Sequence, residues 1–172
     1  KGKEVVPTKY DYASDFENGV AIIGKDRKFG LVNNKGRVIL PVRYDEISKL
    51  SDNLFRVKST ISYGFADITG KLVIRFEYDY ASDFYQGLAV AEIEGKYGCI
   101  NKQNKPVFEF KYDDLEISEF DGIVLATLNN KIGLYRLNKE VIYVPQFDEI
   151  DRVNDSILKV KKGRKYALMN RQ

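Results

Sequence analysis

A unit of about 34 residues occurs five times along the chain, and this repetition constrains the fold more than any other feature. The heptapeptide Tyr10–Phe16 recurs unchanged as Tyr78–Phe84, at twice the unit length. A second marker, usually an aromatic residue followed by glycine, keeps the same spacing: Phe29-Gly30, Tyr63-Gly64, Tyr97-Gly98, Ile132-Gly133 and Tyr166-Ala167. We therefore predict that residues 1–172 form a single repeat domain, with units starting near Tyr10, Tyr44, Tyr78, Tyr112 and Phe147.

Each unit contains short apolar segments that have the composition of strands. In the third unit they are Leu88–Ile93, Tyr97–Ile100 and Pro106–Phe110. A period of this length also suits helical tetratricopeptide repeats, but no segment keeps a helical apolar stripe over ten or more residues. Branched and aromatic residues between turn signals favour three strands per unit.

The turn between the second and third segments is also repeated. Asn33–Gly36 and Asp67–Gly70 begin with Asn or Asp and end with Gly, which is typical of a hairpin turn that closes on a left-handed residue. We expect Asn104 and Asn138 to replace this glycine in the third and fourth units, because Asn tolerates positive φ well.

Aligned units separate the core from the surface. One column is apolar throughout: Val20, Leu54, Leu88, Ile123 and Ile157. A nearby column is mostly polar and is predicted to face solvent: Gly24, Lys58, Glu92, Thr127 and Lys161. The predicted fold class is all-β: five three-stranded repeats in an open, β-solenoid-like array. The alternative is a closed five-bladed β-propeller, in which a lone third strand at Glu4–Thr8 would complete the last unit, whose second strand ends near Asn170.

The pattern Tyr-Asp-x-Ala-x-x-Phe-x-x-Gly-Leu-Ala-Val, followed by Lys-Tyr-Gly-x-Ile-Asn, is best seen from Tyr78 onward. It resembles the WG-repeat (KWG-repeat) family of bacterial proteins over essentially the whole chain. The Trp of the family pattern is Phe29, Tyr63 or Tyr97 here and Ile132 in the fourth unit. The resemblance implies a β-repeat architecture, a bacterial source, and an envelope or secreted location. It implies no catalytic residues.

The charge and hydropathy of the chain limit the classes of partner that we expect. The formal net charge of +3 is too small to favour a specific nucleic-acid binder. No apolar run reaches the roughly 18 residues of a membrane helix. The first residues, Lys1 to Glu4, do not form a signal peptide and look like the middle of a repeat, so we expect a further segment upstream.

Few residues suit catalysis. The chain has no histidine, which removes the usual general base and most zinc or redox-metal sites, and we expect no cofactor or metal. Cys99 lies in an apolar column and is predicted to be a small buried side chain. One aspartate follows the aromatic residue that opens each unit: Asp11, Asp45, Asp79, Asp113 and Asp148. These could serve as a hydrolase carboxylate pair or a calcium site, but their regular recurrence favours turn capping.

The C-terminal region is basic, with Lys159, Lys161, Lys162, Arg164, Lys165 and Arg171. An anionic ligand such as a phosphate, lipid headgroup or nucleic acid is one interpretation. We favour a solvated hairpin tip, because the first unit has the charged turn Lys25–Lys28 at the same place.

Residues that interrupt the repeat are the better functional candidates. The residue after Tyr-Asp is Tyr12 or Tyr80 in two units and acidic in the others, and Tyr85 stands opposite Glu17. Exposed tyrosines on a rigid β surface commonly contact sugars or peptides. We therefore predict a non-catalytic binding or scaffold module for a protein or glycan partner, with Tyr12, Tyr80 and Tyr85 as contacts. The alternatives are a structural spacer of the cell envelope, ordinary edge-strand tyrosines, and a carboxylate-based hydrolase.

Overall fold

The structure is a computed structural model that describes residues 4–118 and 122–170. All its regular elements are strands, numbered here β1 to β19 in chain order. The all-β class is confirmed, and the described residues contain no helix that could span a membrane.

The strands form five antiparallel sheets, one for each repeat, and none of them closes into a barrel. The first sheet contains β1 (Tyr12–Ala13), β2 (Val20–Lys25), β3 (Lys28–Asn33) and β4 (Val38–Tyr44). The second contains β5 (Glu46–Ile47), β6 (Leu54–Ser59), β7 (Ser62–Asp67) and β8 (Leu72–Tyr78). The third contains β9 (Tyr80–Ala81), β10 (Leu88–Ile93), β11 (Lys96–Asn101) and β12 (Pro106–Tyr112).

The fourth sheet contains β13 (Asp114–Ile117), β14 (Ile123–Leu128), β15 (Lys131–Arg136) and β16 (Val141–Phe147). The fifth contains β17 (Glu149–Arg152), β18 (Ile157–Lys162) and β19 (Lys165–Asn170). Neighbouring strands within every sheet follow chain order. Consecutive strands in one sheet need only short hairpin links, which agrees with the turn signals of the sequence.

Four of the five sheets have four strands, one more than the three predicted. The fifth sheet has three strands, and the first of them is the same additional strand. The additional strand is the segment that follows Tyr-Asp, and it pairs antiparallel with the next strand, as Ala13 does with Ile23. It is only two to four residues long, too short to show a period-2 pattern. Sequence reasoning therefore missed it.

Glu4–Thr8 was predicted to be a lone third strand, and this prediction is wrong. The Lys9 N–H donates to the Pro7 carbonyl at 2.8 Å, and the Thr8 N–H donates to Glu4 Oε1 at 2.8 Å. Pro7 has no N–H to give to a ladder, and the chain turns here instead. Nearby, Val6 packs on Ala21, Ile23 and Val32.

The hairpin turns have the predicted geometry in three units and differ in the fourth. Gly36, Gly70 and Asn104 have φ of 77°, 82° and 59°. In the fourth unit the left-handed residue is Lys139, with φ of 70°, so the expectation for Asn138 is wrong. One residue is inserted within this unit, between Asp113 and Ile123, which moves the matching position by one.

The aromatic-glycine marker has a steric cause. A Cβ on Gly30 would lie 2.6 Å from the Leu40 carbonyl oxygen, and a Cβ on Gly64 would lie 2.7 Å from that of Ile74. The register of β3 against β4 shifts between Phe29 and Leu31, the interval that contains Gly30, so β4 bulges over the glycine.

Residue contacts divide the chain into two units. The first comprises the described residues up to Ile93 with Ile100–Lys105, and the second comprises Glu94–Cys99 with the described residues from Pro106 onward. One core cluster of the first unit contains Val20, Ile22, Leu31, Leu40, Tyr44, Ile47, Phe55, Val57 and Ala66. A core cluster of the second unit contains Ile123, Leu134, Phe147, Leu158 and Val160. The expectation of a single domain over 1–172 stays a prediction, as does the open array.

Candidate functional site

Tyr12 and Tyr80 occupy the same column of the repeat, on the short strands β1 and β9. Tyr12 is 49% exposed and Tyr80 is 39% exposed. Their cross-strand partners are Gly24 and Glu92. The acidic residues of this column have mixed cross-strand partners: Glu46 lies opposite Lys58, Asp114 opposite Thr127 and Glu149 opposite Lys161. Glu149 forms an ion pair with Lys161, and Glu46 forms one with Arg56. The tyrosines therefore place exposed aromatic rings at a position where two other repeats form surface ion pairs.

The Tyr12 ring is held in place by a second ring. It meets Phe29 edge to face, with 5.8 Å between centroids and 82° between planes. A Cβ on Gly24 would lie 3.0 Å from the Phe29 ring and 3.1 Å from the Tyr12 Cβ. Gly24 thus leaves space for the aromatic pair, which explains why glycine interrupts a polar column. Sequence reasoning missed Phe29 and Gly24 as parts of the site, although the cross-strand register of a hairpin could have indicated both.

Tyr80 is supported in a similar way by the preceding sheet. Its ring lies 6.1 Å from that of Tyr63, at 64°. Two cations also lie over the Tyr63 ring: Lys58 Nζ is 5.1 Å from the ring centroid, and the Arg56 guanidinium carbon is 5.4 Å from it. Contacts of this kind reduce the freedom of the ring before any ligand arrives.

Tyr85 differs from the other two candidates. It is half-buried, and its hydroxyl accepts a hydrogen bond from Gln86 Nε2 at 2.9 Å. It lies at an isolated bridge with Leu88, in the turn that leads into β10. Tyr85 belongs with Tyr80 to the third sheet, whereas Tyr12 belongs to the first.

Tyr12 also borders a cleft of about 360 Å³ within the first unit. The cleft is lined by residues of the first two repeats: Tyr12, Ala13, Ser14, Asp15, Glu17, Val20, Ile22, Lys49, Leu50 and Phe55. Asp15, Glu17 and Lys49 are exposed. The cleft therefore combines an aromatic ring with side chains that accept and donate hydrogen bonds.

The first repeat lacks an arginine that, in the second repeat, bonds to the repeat after it. Arg56 of the second sheet is bonded to the third repeat: Nη1 donates to the Ala81 carbonyl at 2.9 Å and Nε to Asp83 Oδ1 at 3.1 Å. Ile22 stands at the position of Arg56 in the first sheet, and Lys49 at that of Asp83. Isoleucine cannot make these bonds, and both Ile22 and Lys49 line the cleft.

Four of the recurrent aspartates, Asp11, Asp45, Asp113 and Asp148, cap turns with their side chains, as predicted. The Thr60 N–H donates to Asp45 Oδ2 at 2.7 Å, and the Asn129 N–H donates to Asp113 Oδ2 at 2.7 Å. Asp11 and Asp148 accept the N–H groups of Asp26 and Gly163 in the same way. In the third unit, the Asp79 N–H donates to the Glu92 carbonyl at 3.0 Å.

Lysines bind the other oxygen of three of these carboxylates. Lys28 pairs with Asp45, Lys96 with Asp113, and Lys131 with Asp148. The lysine hydrogen bond, followed by the backbone N–H, holds the pKa of each of these aspartates below its ordinary value of 3.8. A general acid needs a raised pKa, and these hydrogen bonds act in the opposite direction by stabilising the charged form.

Cys99 is fully buried, which confirms the expectation for this residue. Burial raises the pKa of its thiol to about 12, so the thiol is protonated at neutral pH. Across residues 4–118 and 122–170, no three His, Cys, Asp or Glu side chains are grouped so that they could hold a metal ion.

The basic C-terminal segment forms the predicted hairpin, with a turn between β18 and β19. Lys159 binds Asp151 at 2.7 Å and Lys161 binds Glu149 at 2.5 Å, both acceptors being on β17. These acidic partners offset part of the basic charge. Arg171 lies outside the described residues.

Five antiparallel sheets, with capping aspartates at Asp11, Asp45, Asp113 and Asp148, define an all-β tandem-repeat protein. The chain belongs to the WG containing repeat family, whose model matches residues 1–29, 29–59, 63–97, 97–131 and 132–166. No curated protein matches the sequence.

Solved structures with a similar fold include a eukaryotic initiation factor, which has 13% identity and a TM-score of 0.52 over 88% of this chain and 49% of that chain. Hsv2 from Kluyvelomyces marxianus has 13% identity and a TM-score of 0.49, over 94% of this chain and 63% of that one. PorZ, a surface component of the type-IX secretion system of Porphyromonas gingivalis, has 9% identity and a TM-score of 0.42, over 96% and 25%. The chain thus spans less than two thirds of each of these proteins. The neighbours are propeller-like folds.

Proposed function

We propose that the chain is a non-catalytic binding or scaffold module that contacts a protein or glycan partner through Tyr12 and Tyr80. The observation that carries the proposal is the exposure of these two rings in a column that is otherwise acidic. Both rings pack edge to face on a neighbouring aromatic residue. The acidic residues at this position form surface ion pairs in two other units, so the exposed tyrosines in their place favour a role in contact with a partner.

The support of each ring suits binding. A side chain that is already ordered loses little rotamer freedom when a partner docks, and ordering a mobile one costs about 0.5–1.5 kcal/mol. Tyrosine also combines an apolar face with a hydroxyl that can donate or accept a hydrogen bond. Phe29 and Tyr63 are therefore positioning residues in this proposal, and Gly24 makes room for the first pair.

Glycans are the first partner class to test, because of the cleft beside Tyr12. A pyranose ring can lay its C–H face on the tyrosine while its hydroxyls bond to charged side chains. Asp15, Glu17 and Lys49 offer such groups in the same cleft. Tyr85 is a third, more enclosed contact in the proposal.

The capping aspartates have a structural role in this proposal. Asp45, Asp113 and Asp148 each use one oxygen for a backbone N–H and the other for a lysine. A hydrolase would need a carboxylate pair that faces a bound substrate, with one carboxyl at a raised pKa. Release of product from a screened glycan would favour that alternative.

The experiment is a glycan-array and pull-down screen of the wild-type chain, Tyr12→Ala and Tyr80→Ala. We expect the wild type to retain a glycan or protein and both variants to lose most of the signal. Ile61→Ala serves as the control, because Ile61 is 75% exposed on a turn of the second sheet. A wild type that retains no partner would contradict the proposal and favour a spacer.

A further inference from the structure

Tyr80 differs from the other residues of its column in the side chain that lies opposite it. The strands β9 and β10 pair so that Tyr80 faces Glu92. The corresponding pairs in the other sheets are Tyr12–Gly24, Glu46–Lys58, Asp114–Thr127 and Glu149–Lys161. Of the five described sheets, the third is therefore the one in which an exposed aromatic ring has a carboxylate as its cross-strand neighbour.

The Glu92 carboxylate is placed to act together with this ring. Cross-strand neighbours project from the same face of a sheet, with Cβ atoms about 4.5–5.5 Å apart. Glu92 is half-buried, and within residues 4–118 and 122–170 its carboxylate makes no ion pair or hydrogen bond. By contrast, Glu46 binds Arg56 and Glu149 binds Lys161. Glu92 thus keeps a negative charge available beside the Tyr80 ring.

The second repeat does not bring to this hairpin the lysine that other repeats bring to theirs. A lysine at the start of β3, β11 and β15 binds the capping aspartate of the next repeat: Lys28–Asp45, Lys96–Asp113 and Lys131–Asp148. β7 begins with Ser62 instead. Because serine carries no charge, this position adds no cation near Asp79, the residue before Tyr80.

The cations of the second sheet lie over a different ring. Lys58 and Arg56 lie over Tyr63, whose centroid is 6.1 Å from that of Tyr80. Arg56 also binds Glu46 and Asp83, which offset its charge. A ligand that rests on Tyr80 therefore has the Glu92 carboxylate as its direct cross-strand neighbour.

The exposure of Tyr80 does not depend on the ends of the chain. The second sheet lies against Tyr80 through Tyr63, and a fourth repeat follows it in the sequence. Tyr80 keeps 39% of its surface exposed with the second sheet in place. The Tyr80–Glu92 pair is thus a feature of the middle of the repeat array.

We propose that Tyr80 and Glu92 recognise the protonated primary amine of a glycan. The inference rests on the proposed function, because it names the chemical class of ligand for the Tyr80 part of that surface. An ammonium group over the Tyr80 ring is attracted by the negative face of the ring. The same group can donate a hydrogen bond to the Glu92 carboxylate, and such a charge-assisted bond is stronger than one from a neutral hydroxyl.

Two matched ligands test the proposal. Oligomers of glucosamine and of N-acetylglucosamine share one sugar backbone, and the first of them carries free amines. We would titrate both calorimetrically at about pH 6, between the ordinary pKa values of carboxyls and amines. The wild type should bind the amine form about three- to thirtyfold more tightly, and high salt should reduce this preference.

Three variants locate the preference. Glu92→Gln removes the charge and keeps the shape, so it should weaken binding of the amine form about two- to fivefold and that of the acetylated form by less. Glu116→Gln, the same change of an exposed glutamate in the fourth sheet, should leave the preference unchanged. Tyr80→Ala should weaken binding of both forms. Thermal unfolding confirms that each variant is folded.

The outcomes separate this inference from the proposed function. Equal affinity for the two oligomers, with both weakened in Tyr80→Ala, would overturn the inference and leave the proposed function in place. A preference that persists in Glu92→Gln, binding of neither oligomer, or retention of basic peptides with no amine-bearing glycan would also overturn it. A wild type that retains no glycan or protein in the wider screen would contradict the proposed function as well.

Discussion

Lys28 Nζ donates to Asp45 Oδ1 at 2.5 Å, and this bond joins the first repeat to the second. Lys28 begins β3, and Asp45 lies between β4 and β5, where it also caps the turn at Thr60. The pairs Lys96–Asp113 and Lys131–Asp148 repeat the arrangement. One carboxylate thus accepts a hydrogen bond from the hairpin turn of its own repeat and another from a lysine of the preceding repeat.

The cap should matter more than the ion pair. We expect Asp45→Ala to lower the midpoint of thermal unfolding clearly, because the Thr60 N–H loses its acceptor. Lys28→Ser should have a smaller effect, since the pair is partly exposed and the second repeat has Ser62 at this position. Calorimetry at low and high salt checks this, because the Lys28 effect should fade with salt while the part of the Asp45 effect that comes from the cap remains. An equal loss from both changes would contradict it.

The capping aspartates should make stability depend on acidity. The pKa values of Asp45, Asp113 and Asp148 are held below 3.8 in the folded state. Their contribution is therefore complete above the unfolded-state pKa and is lost as pH falls through the folded-state values. We expect the free energy of unfolding to decrease as pH falls below about 3.8.

Carboxyl NMR titration gives a direct check of that pH dependence. The Asp45 carboxyl should titrate below 3.8, and Lys28→Ser should raise its pKa toward that value, because the Lys28 hydrogen bond is the largest cause of the shift. The Asp113 carboxyl should be unaffected in this variant. An Asp45 carboxyl that titrates above 3.8 in the wild type would rule out the proposed cap.

Glycine in the aromatic-glycine marker should be required wherever a third strand crosses it. Gly64→Ala places a methyl group 2.7 Å from the Ile74 carbonyl oxygen, and we expect it to destabilise the fold by about 1–3 kcal/mol. The fifth repeat has Ala167 at this position, and no strand of the described residues lies beyond β19 in its sheet. Ala167→Gly should cost only about 0.5–1 kcal/mol. Urea unfolding compares the two, and a neutral Gly64→Ala would be inconsistent with this packing.

The duplicated heptapeptide allows a comparison of burial at constant local sequence. Phe84→Ala should destabilise by about 3–5 kcal/mol, because it removes a fully buried ring from the contact with Phe65. Phe16→Ala, studied in dilute solution, should stay within about 0.5 kcal/mol of the wild type. Similar losses at the two positions would show that Phe16 is covered within one chain.

The repeat period predicted most strands and turns because the same pattern of buried and exposed positions recurs in each unit. In the third unit, Leu88–Ile93 was predicted and found without change as β10. The residue inserted within the fourth unit moved the left-handed position to Lys139, whereas Asn138 was predicted. The step from Gly98 to Gly133 is 35 residues, so the sequence contained the shift, but the turn was still counted at the 34-residue period.

The candidate site was only partly predictable. The exposure of Tyr12 follows from its column, because polar residues occupy the same position in other units. Its support by Phe29 and the space left by Gly24 depend on cross-strand register, which requires the paired strands. The cleft beside Tyr12 depends on Ile22 standing where Arg56 stands in the next repeat, a difference that gains meaning only when the contacts of Arg56 are known.

The binding affinity of the partner recovered from the screen tests the central claim most directly. Isothermal titration with the wild type, Tyr12→Ala, Tyr80→Ala and the double variant would measure it, with Ile61→Ala as control. Loss of an aromatic hot spot costs about 2 kcal/mol, so we expect the double variant to bind at least about thirtyfold more weakly. An unchanged affinity in a folded double variant would contradict the claim that the repeat-breaking tyrosines form the binding surface.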